Sequence, residues 1–154
     1  MKKFMFAVMA VFTLMLSGCA TVPVQQDAAL VEQAKSFSPA PQDQAFVYVY
    51  RDDWKAKLAA MKVYLDDKPV GATVNKTFML MKVKPGKHVL SVDSEFSKNN
   101  LDLNAEGGKT YYVEHYMRIG VLFNQSDLEV TTEADKIADA QASIRASEML
   151  INQS

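Results

Sequence analysis

The sequence predicts a mainly β protein, a small antiparallel β-sandwich of about seven strands followed by a C-terminal α-helix. Three observations carry this. Runs rich in Val, Tyr, Phe and Leu recur at close intervals across residues 45–131, and such side chains fit a pleated, half-buried surface. Turn formers separate them, as in Asp67-Lys68-Pro69, Lys84-Pro85-Gly86 and Gly107-Gly108; short strands punctuated this regularly are the pattern of a sandwich. Beyond residue 131 the period changes, and Ile137, Ala140, Ile144, Ser147 and Ile151 recur at the three- and four-residue spacing of one helix face.

The first strand is Phe46-Val47-Tyr48-Val49-Tyr50-Arg51. Its side chains are large on both faces, which predicts a central strand covered on each side. Residues 52–60 break the alternation as a loop or single helical turn. Residues 62–66 and 70–74 flank Asp67-Lys68-Pro69 as a hairpin. Residues 77–83 and 87–93 flank Lys84-Pro85-Gly86, where Pro then Gly suits a type II turn. That turn twists against a tight hairpin, so the connection is expected to pass between sheets. Leu101, Leu103 and Ala105 alternate with Asp102 and Asn104, the mark of a half-buried strand. A second aromatic strand spans 110–117 and a last short one 127–130. Over residues 132–154 a helix is expected, with Thr132 as its capping side chain and Asp135 in the first turn. Its narrow apolar stripe predicts packing on the sandwich, with docking on a partner as the alternative.

The N-terminus has a different character. Lys2 and Lys3 precede an apolar run from Phe4 to Leu16 broken only by Thr13, the arrangement of a secretory signal peptide. The run is short of the roughly 20 residues a transmembrane helix needs. Residues 20–44 are rich in Gln, Ala, Ser and Pro, which predicts a flexible tether. The expected organisation is therefore a signal peptide over 1–18, tether over 19–44, sandwich over 45–131 and amphipathic helix over 132–154.

Leu16-Ser17-Gly18-Cys19 resembles the lipobox of bacterial lipoproteins at all four positions. The resemblance implies cleavage before Cys19 and a covalent lipid on its sulfur, an anchor to which each buried methylene contributes roughly 0.8 kcal/mol. Ala20 in the next position implies the outer membrane, facing the periplasm, in a Gram-negative host. Cys19 is the only cysteine, so no internal disulfide is possible and stability must come from a hydrophobic core.

A second resemblance covers roughly residues 45–130. Tyr48-Val49-Tyr50-Arg51, Val63-Tyr64-Leu65-Asp66 with Pro69-Val70-Gly71, Pro85-Gly86-Lys87-His88 and Gly108-Lys109-Thr110-Tyr111-Tyr112-Val113 occur in the order seen in an uncharacterised bacterial family, the domain of unknown function numbered two thousand eight hundred and forty-six. Its members are mostly lipoproteins with a domain similar to the PEGA-type, transthyretin-like sandwich. The family implies a fold and a location. It supplies no activity and no catalytic residue.

Charge and side-chain chemistry narrow the function further. Without the two lysines of residues 1–18 the chain carries three more acids than bases, the opposite of the basic stripe that nucleic acid requires. His88 and His115 lack a His-x-His spacing or a thiol partner, so no metal site and no cofactor beyond the covalent lipid is expected. Asp52-Asp53 and Asp66-Asp67 are adjacent pairs whose members point apart and suit solvated turns. No serine lies in a Gly-x-Ser-x-Gly elbow. Tyr48, Tyr50 and Tyr112 beside Arg51 would suit a peptide, glycan or protein if exposed; packing in the core is the favoured reading. The expectation is a lipid-anchored cell-envelope protein, not an enzyme, whose sandwich is an interaction or structural module. An envelope protein or glycan is a candidate partner. The alternative is an envelope hydrolase acting on lipid or glycan through His88 or His115.

Overall fold

Alternation along one strand sets out the layers of the molecule. In β1 (Ala45–Arg51), Ala45, Val47, Val49 and Arg51 point one way, while Phe46, Tyr48 and Tyr50 point the other. The first set faces a second sheet and the other faces two helices, because successive side chains of a strand leave on opposite faces. The computed structural model describes residues 22–54, 59–94, 97–120 and 124–152. The expected signal peptide, the lipobox-like residues and Cys19 lie outside them.

The remaining elements are α1 (Ala28–Lys35), which precedes β1, then β2 (Met61–Leu65), β3 (Lys68–Thr73), β4 (Thr77–Val83), β5 (Gly86–Asp93), β6 (Lys98–Ala105), β7 (Thr110–Ile119), β8 (Asn124–Thr131), α2 (Ala134–Arg145) and β9 (Glu148–Met149). A five-stranded sheet has the order β8-β7-β1-β4-β9 and a four-stranded sheet the order β3-β2-β5-β6. The described residues thus form the expected mainly β sandwich, with nine strands, one of them only two residues long. Most pairings are antiparallel, but β1–β7 and β4–β9 are parallel. The first of these brings Tyr48 beside Tyr112. The Pro85-Gly86 connection does pass between sheets, since β4 and β5 belong to different ones.

Three of the differences from the sequence expectation have a clear physical reason. The β2–β3 turn is centred on Asp66-Asp67, both with positive φ (50° and 64°). A two-residue loop of this handedness matches the twist of its strands, and Pro69 is tolerated because β3 is an edge strand. The C-terminal helix stops at Arg145, and the chain then extends so that Glu148 N donates to Lys76 O and Leu150 N to Phe78 O. Its N-cap is Glu133 rather than Thr132.

The third difference is the largest. The flexible tether expected over 19–44 is folded onto the domain from Val22 onward. Asp27 accepts hydrogen bonds from Ala29 N and Leu30 N as the N-cap of α1, and Ala34 is buried under Tyr48. Phe37 turns the chain at φ 52° and packs on Tyr48 and Tyr112 at 5.4 and 6.0 Å. Burial of α1 is supplied by sheet residues far along the chain, so its own short stripe gave no sign of it.

Candidate functional site

The aromatic set expected as a possible binding surface lies inside. Tyr48, Tyr50 and Tyr112 are buried between the five-stranded sheet and the helices. Tyr48 and Tyr112 stack at 5.4 Å. Tyr48 Oη donates to Ala34 O at 2.7 Å, and Gln141 Nε2 donates to Tyr112 Oη at 2.8 Å. Burial, with Tyr112 alongside, pushes the Tyr48 phenol up to about 12; burial, with Glu114 next, does the same to Tyr50. These groups stay neutral and serve as packing with one polar handle each. The rings follow the favoured core reading and not the exposed-surface alternative: parallel pairing of β1 with β7 gathers them beneath α1 and α2.

Arg51 is corrected as well. It is 0 % exposed and turns inward at the end of the sandwich. Its Nη1 donates to Ala59 O at 2.8 Å and to Thr73 O at 3.2 Å. Asp53, also buried, accepts from Met117 N at 2.7 Å. Burial lowers the Arg51 guanidinium from its ordinary value and the Asp53 charge works against that.

His115 belongs to the same interior plug. It is 0 % exposed, with Nδ1 2.7 Å from Thr73 Oγ1 and Nε2 hydrogen-bonded to Ser126 Oγ. Burial and the neighbouring Arg51 push it down to about 3, only partly offset by Asp53. The ring is therefore neutral, and each nitrogen is engaged by a hydroxyl. This histidine does meet a serine, but Ser126 is itself 0 % exposed and Asn99 Nδ2 holds its carbonyl at 2.6 Å. A nucleophile needs room for the substrate carbon about 3 Å away, and packed side chains occupy that space.

His88 sits on the other sheet, at the start of β5. Its Nδ1 is 2.8 Å from Asp66 Oδ2 and its Nε2 2.8 Å from Lys84 O. A carbonyl and a carboxylate only accept, so both ring nitrogens donate and the ring is an imidazolium when the two bonds are made. Partial burial opposes that charge, but the bonds to Asp66 and Lys84 outweigh it and the net shift is upward. Asp66 Oδ1 accepts from Val89 N as well. The pair pins the β2–β3 turn to β5. The two histidines lie on different sheets and do not converge. Among the described residues, no group of three or more His, Cys, Asp or Glu side chains is placed to hold a metal ion.

A concavity that sequence reasoning missed lies on the helix side. A groove of about 630 Å³ runs between α1, the segment after it, and the β4 edge. Phe46, Leu65, Val70, Leu80 and Met81 contribute its apolar wall, and among the described residues Lys82 is the only charged side chain lining it. It exists because β9 covers only Thr77 and Phe78 of β4, leaving the rest of that edge to α1. The available signal was Asp27 followed by Ala-Ala-Leu-Val-Glu-Gln-Ala-Lys, a capping residue ahead of good helix formers.

With this geometry in hand, comparison with known proteins places the chain among uncharacterised relatives. The family described as "Protein of unknown function (DUF2846)" matches residues 41–126. An "Uncharacterized protein" of Haemophilus influenzae is 35 % identical over 125 residues, covering 79 % of this chain and 72 % of the relative.

Proposed function

The chain belongs to that family of unknown function, and from this premise we propose that it is a lipid-anchored cell-envelope protein whose sandwich acts as a non-catalytic binding module. Leu16-Ser17-Gly18-Cys19 behind its apolar run carries the reading. Cys19 is the attachment point, and by the residue after it the anchor lies in the outer membrane, facing the periplasm. The described domain supports the module half of the proposal. Arg51, Asp53, His115 and Ser126 are enclosed as a structural plug, His88 is spent on a turn, and the groove offers apolar surface with a single cation. Such a lining suits recognition by shape and apolar contact. Among the described residues no helix is long and apolar enough to cross a membrane, so attachment in this reading rests on the lipid.

Replacing Cys19 with Ser tests the anchor. The expected outcome is loss of fatty-acid labelling and accumulation of the uncut precursor. Labelling that persists in Cys19→Ser overturns the assignment. Hydrolysis through a histidine is the competing activity, and His88 is the one that solvent reaches. A His88→Asn variant that loses a cellular phenotype while keeping its folded stability would favour that activity over the binding module.

A further inference from the structure

The way the chain enters the domain sets how far the anchor can stand from it. Gln25 N donates to Met149 O at 2.8 Å and Ile151 N to Pro23 O at 3.0 Å, so residues 23–25 run antiparallel to residues 149–151. Val22 and Val24 pack on the sandwich core. In that sense the chain arrives from the side of Asn152, and Asn152 and Met149 both line the groove. Only Ala20 and Thr21 separate Cys19 from Val22. An extended chain spans at most about 3.6 Å per residue, which keeps Cys19 within roughly 11 Å of Val22.

The groove has the size and polarity for an aliphatic guest. Its volume of about 630 Å³ falls in the range of roughly 300–1,000 Å³ that holds small ligands. One large apolar side chain stands exposed in its lining: Leu30, at 46 %.

We propose that the groove receives one acyl chain of the lipid carried by Cys19, a proposal that rests on the lipidation reading above. The short reach from Cys19 to Val22 places that chain closer to the groove than any bilayer lipid is held. The apolar wall replaces hydrocarbon contacts with protein contacts, and the exposed Leu30 is covered in the same event. The remaining acyl groups stay in the bilayer. The domain is thereby seated with its groove toward the membrane instead of standing off on a tether.

The experiment uses the full chain in its own envelope. Cells are fed a palmitate analogue bearing a terminal diazirine, the mature protein is purified, and its mass reports first whether Cys19 is acylated. Irradiation before purification should then produce intramolecular adducts on peptides containing Leu30, Phe46 or Leu80. Gln33→Trp, a substitution at an exposed position that narrows the groove, should reduce these adducts severalfold with acylation unchanged. Ser38→Trp serves as a second variant if the first does not accumulate. Acylated Cys19 with adducts only to lipid or other proteins overturns the proposal. So do groove adducts from a diazirine phospholipid supplied to the bilayer with none from the Cys19 chain. Absence of any acyl mass on Cys19 overturns the anchor reading itself, and the proposal with it.

Discussion

The two faces of the five-stranded sheet are built by different means. Toward the second sheet, Val47, Val49, Met79 and Val113 meet Val63, Leu90 and Val92, and nearly all of them are completely buried. Toward the helices, Tyr48, Phe78 and Tyr112 are buried too, but the cover is two short helices held at a few polar points. Lys35 Nζ donates to Arg145 O and Ser147 O at 2.9 and 2.7 Å, at the carbonyl end of α2 where a cation is favoured. Asp52 accepts from Ser143 and pairs with Lys76 at 2.6 Å. The sandwich face is fully buried at its centre, whereas the helix layer is pinned at a few points, and the groove beside it reaches Leu65, Val70 and Met81 at the sandwich edge.

If that contrast holds, the largest effect of substitution should come from the sandwich face. Leu90→Ala should cost about 2–5 kcal/mol, the range for removing a buried aliphatic side chain and leaving a cavity. Urea unfolding checks it; a cost below about 1 kcal/mol would mean that this layer collapses readily.

Acidification should act on the same side of the sheet through His115. Its folded value of about 3 lies below its ordinary 6.5, so the unfolded chain binds a proton that the native plug refuses. Stability is complete above 6.5 and falls as pH drops toward 3, by up to about 1.4 kcal/mol per unit from this group. Its partner in name works in the opposite sense. His88 is raised, so its contribution is present below 6.5 and fades as pH climbs through the raised value. Thermal melts of His115→Leu and His88→Asn should separate the two: the first flattens the limb below 6.5, the second the limb above it. Identical pH profiles for both variants and the parent would remove the plug and turn roles together.

The helix layer should give the smallest loss. Lys35→Met removes two charge-assisted bonds at a partly exposed site, for which about 1.5–3 kcal/mol in all is expected. Hydrogen exchange should show α2 opening sooner while β1, β4 and β7 keep their protection. Equal loosening of both layers would show that the helices are integral to the core.

How much of this was visible beforehand follows from how local each signal is. The strands were legible in Phe46-Val47-Tyr48-Val49-Tyr50 and Leu101-Asp102-Leu103-Asn104-Ala105, since alternation and β-branched or aromatic content act within a few residues. The crossing at Pro85-Gly86 was legible because turn handedness is local as well. Arg51 and His115 read as candidates for a surface or a site, because nothing near them in sequence shows their partners. Those come from β3 and β8, where Thr73 and Ser126 reside.

By itself, the sequence determined a β-sandwich with a terminal helix, membership in its family, and a four-residue motif ending at Cys19 that resembles a lipobox. Tertiary structure alone decided that β1 and β7 run parallel, that residues 22–44 fold back onto the sheet, and that α1 leaves a groove along the β4 edge. The reason is physical: propensity and alternation are properties of a few neighbouring residues, while burial of Ala34 or Tyr48 depends on surfaces contributed from elsewhere in the chain. A segment with too little apolar stripe to fold alone is ordered once a distant sheet supplies the other half of its core.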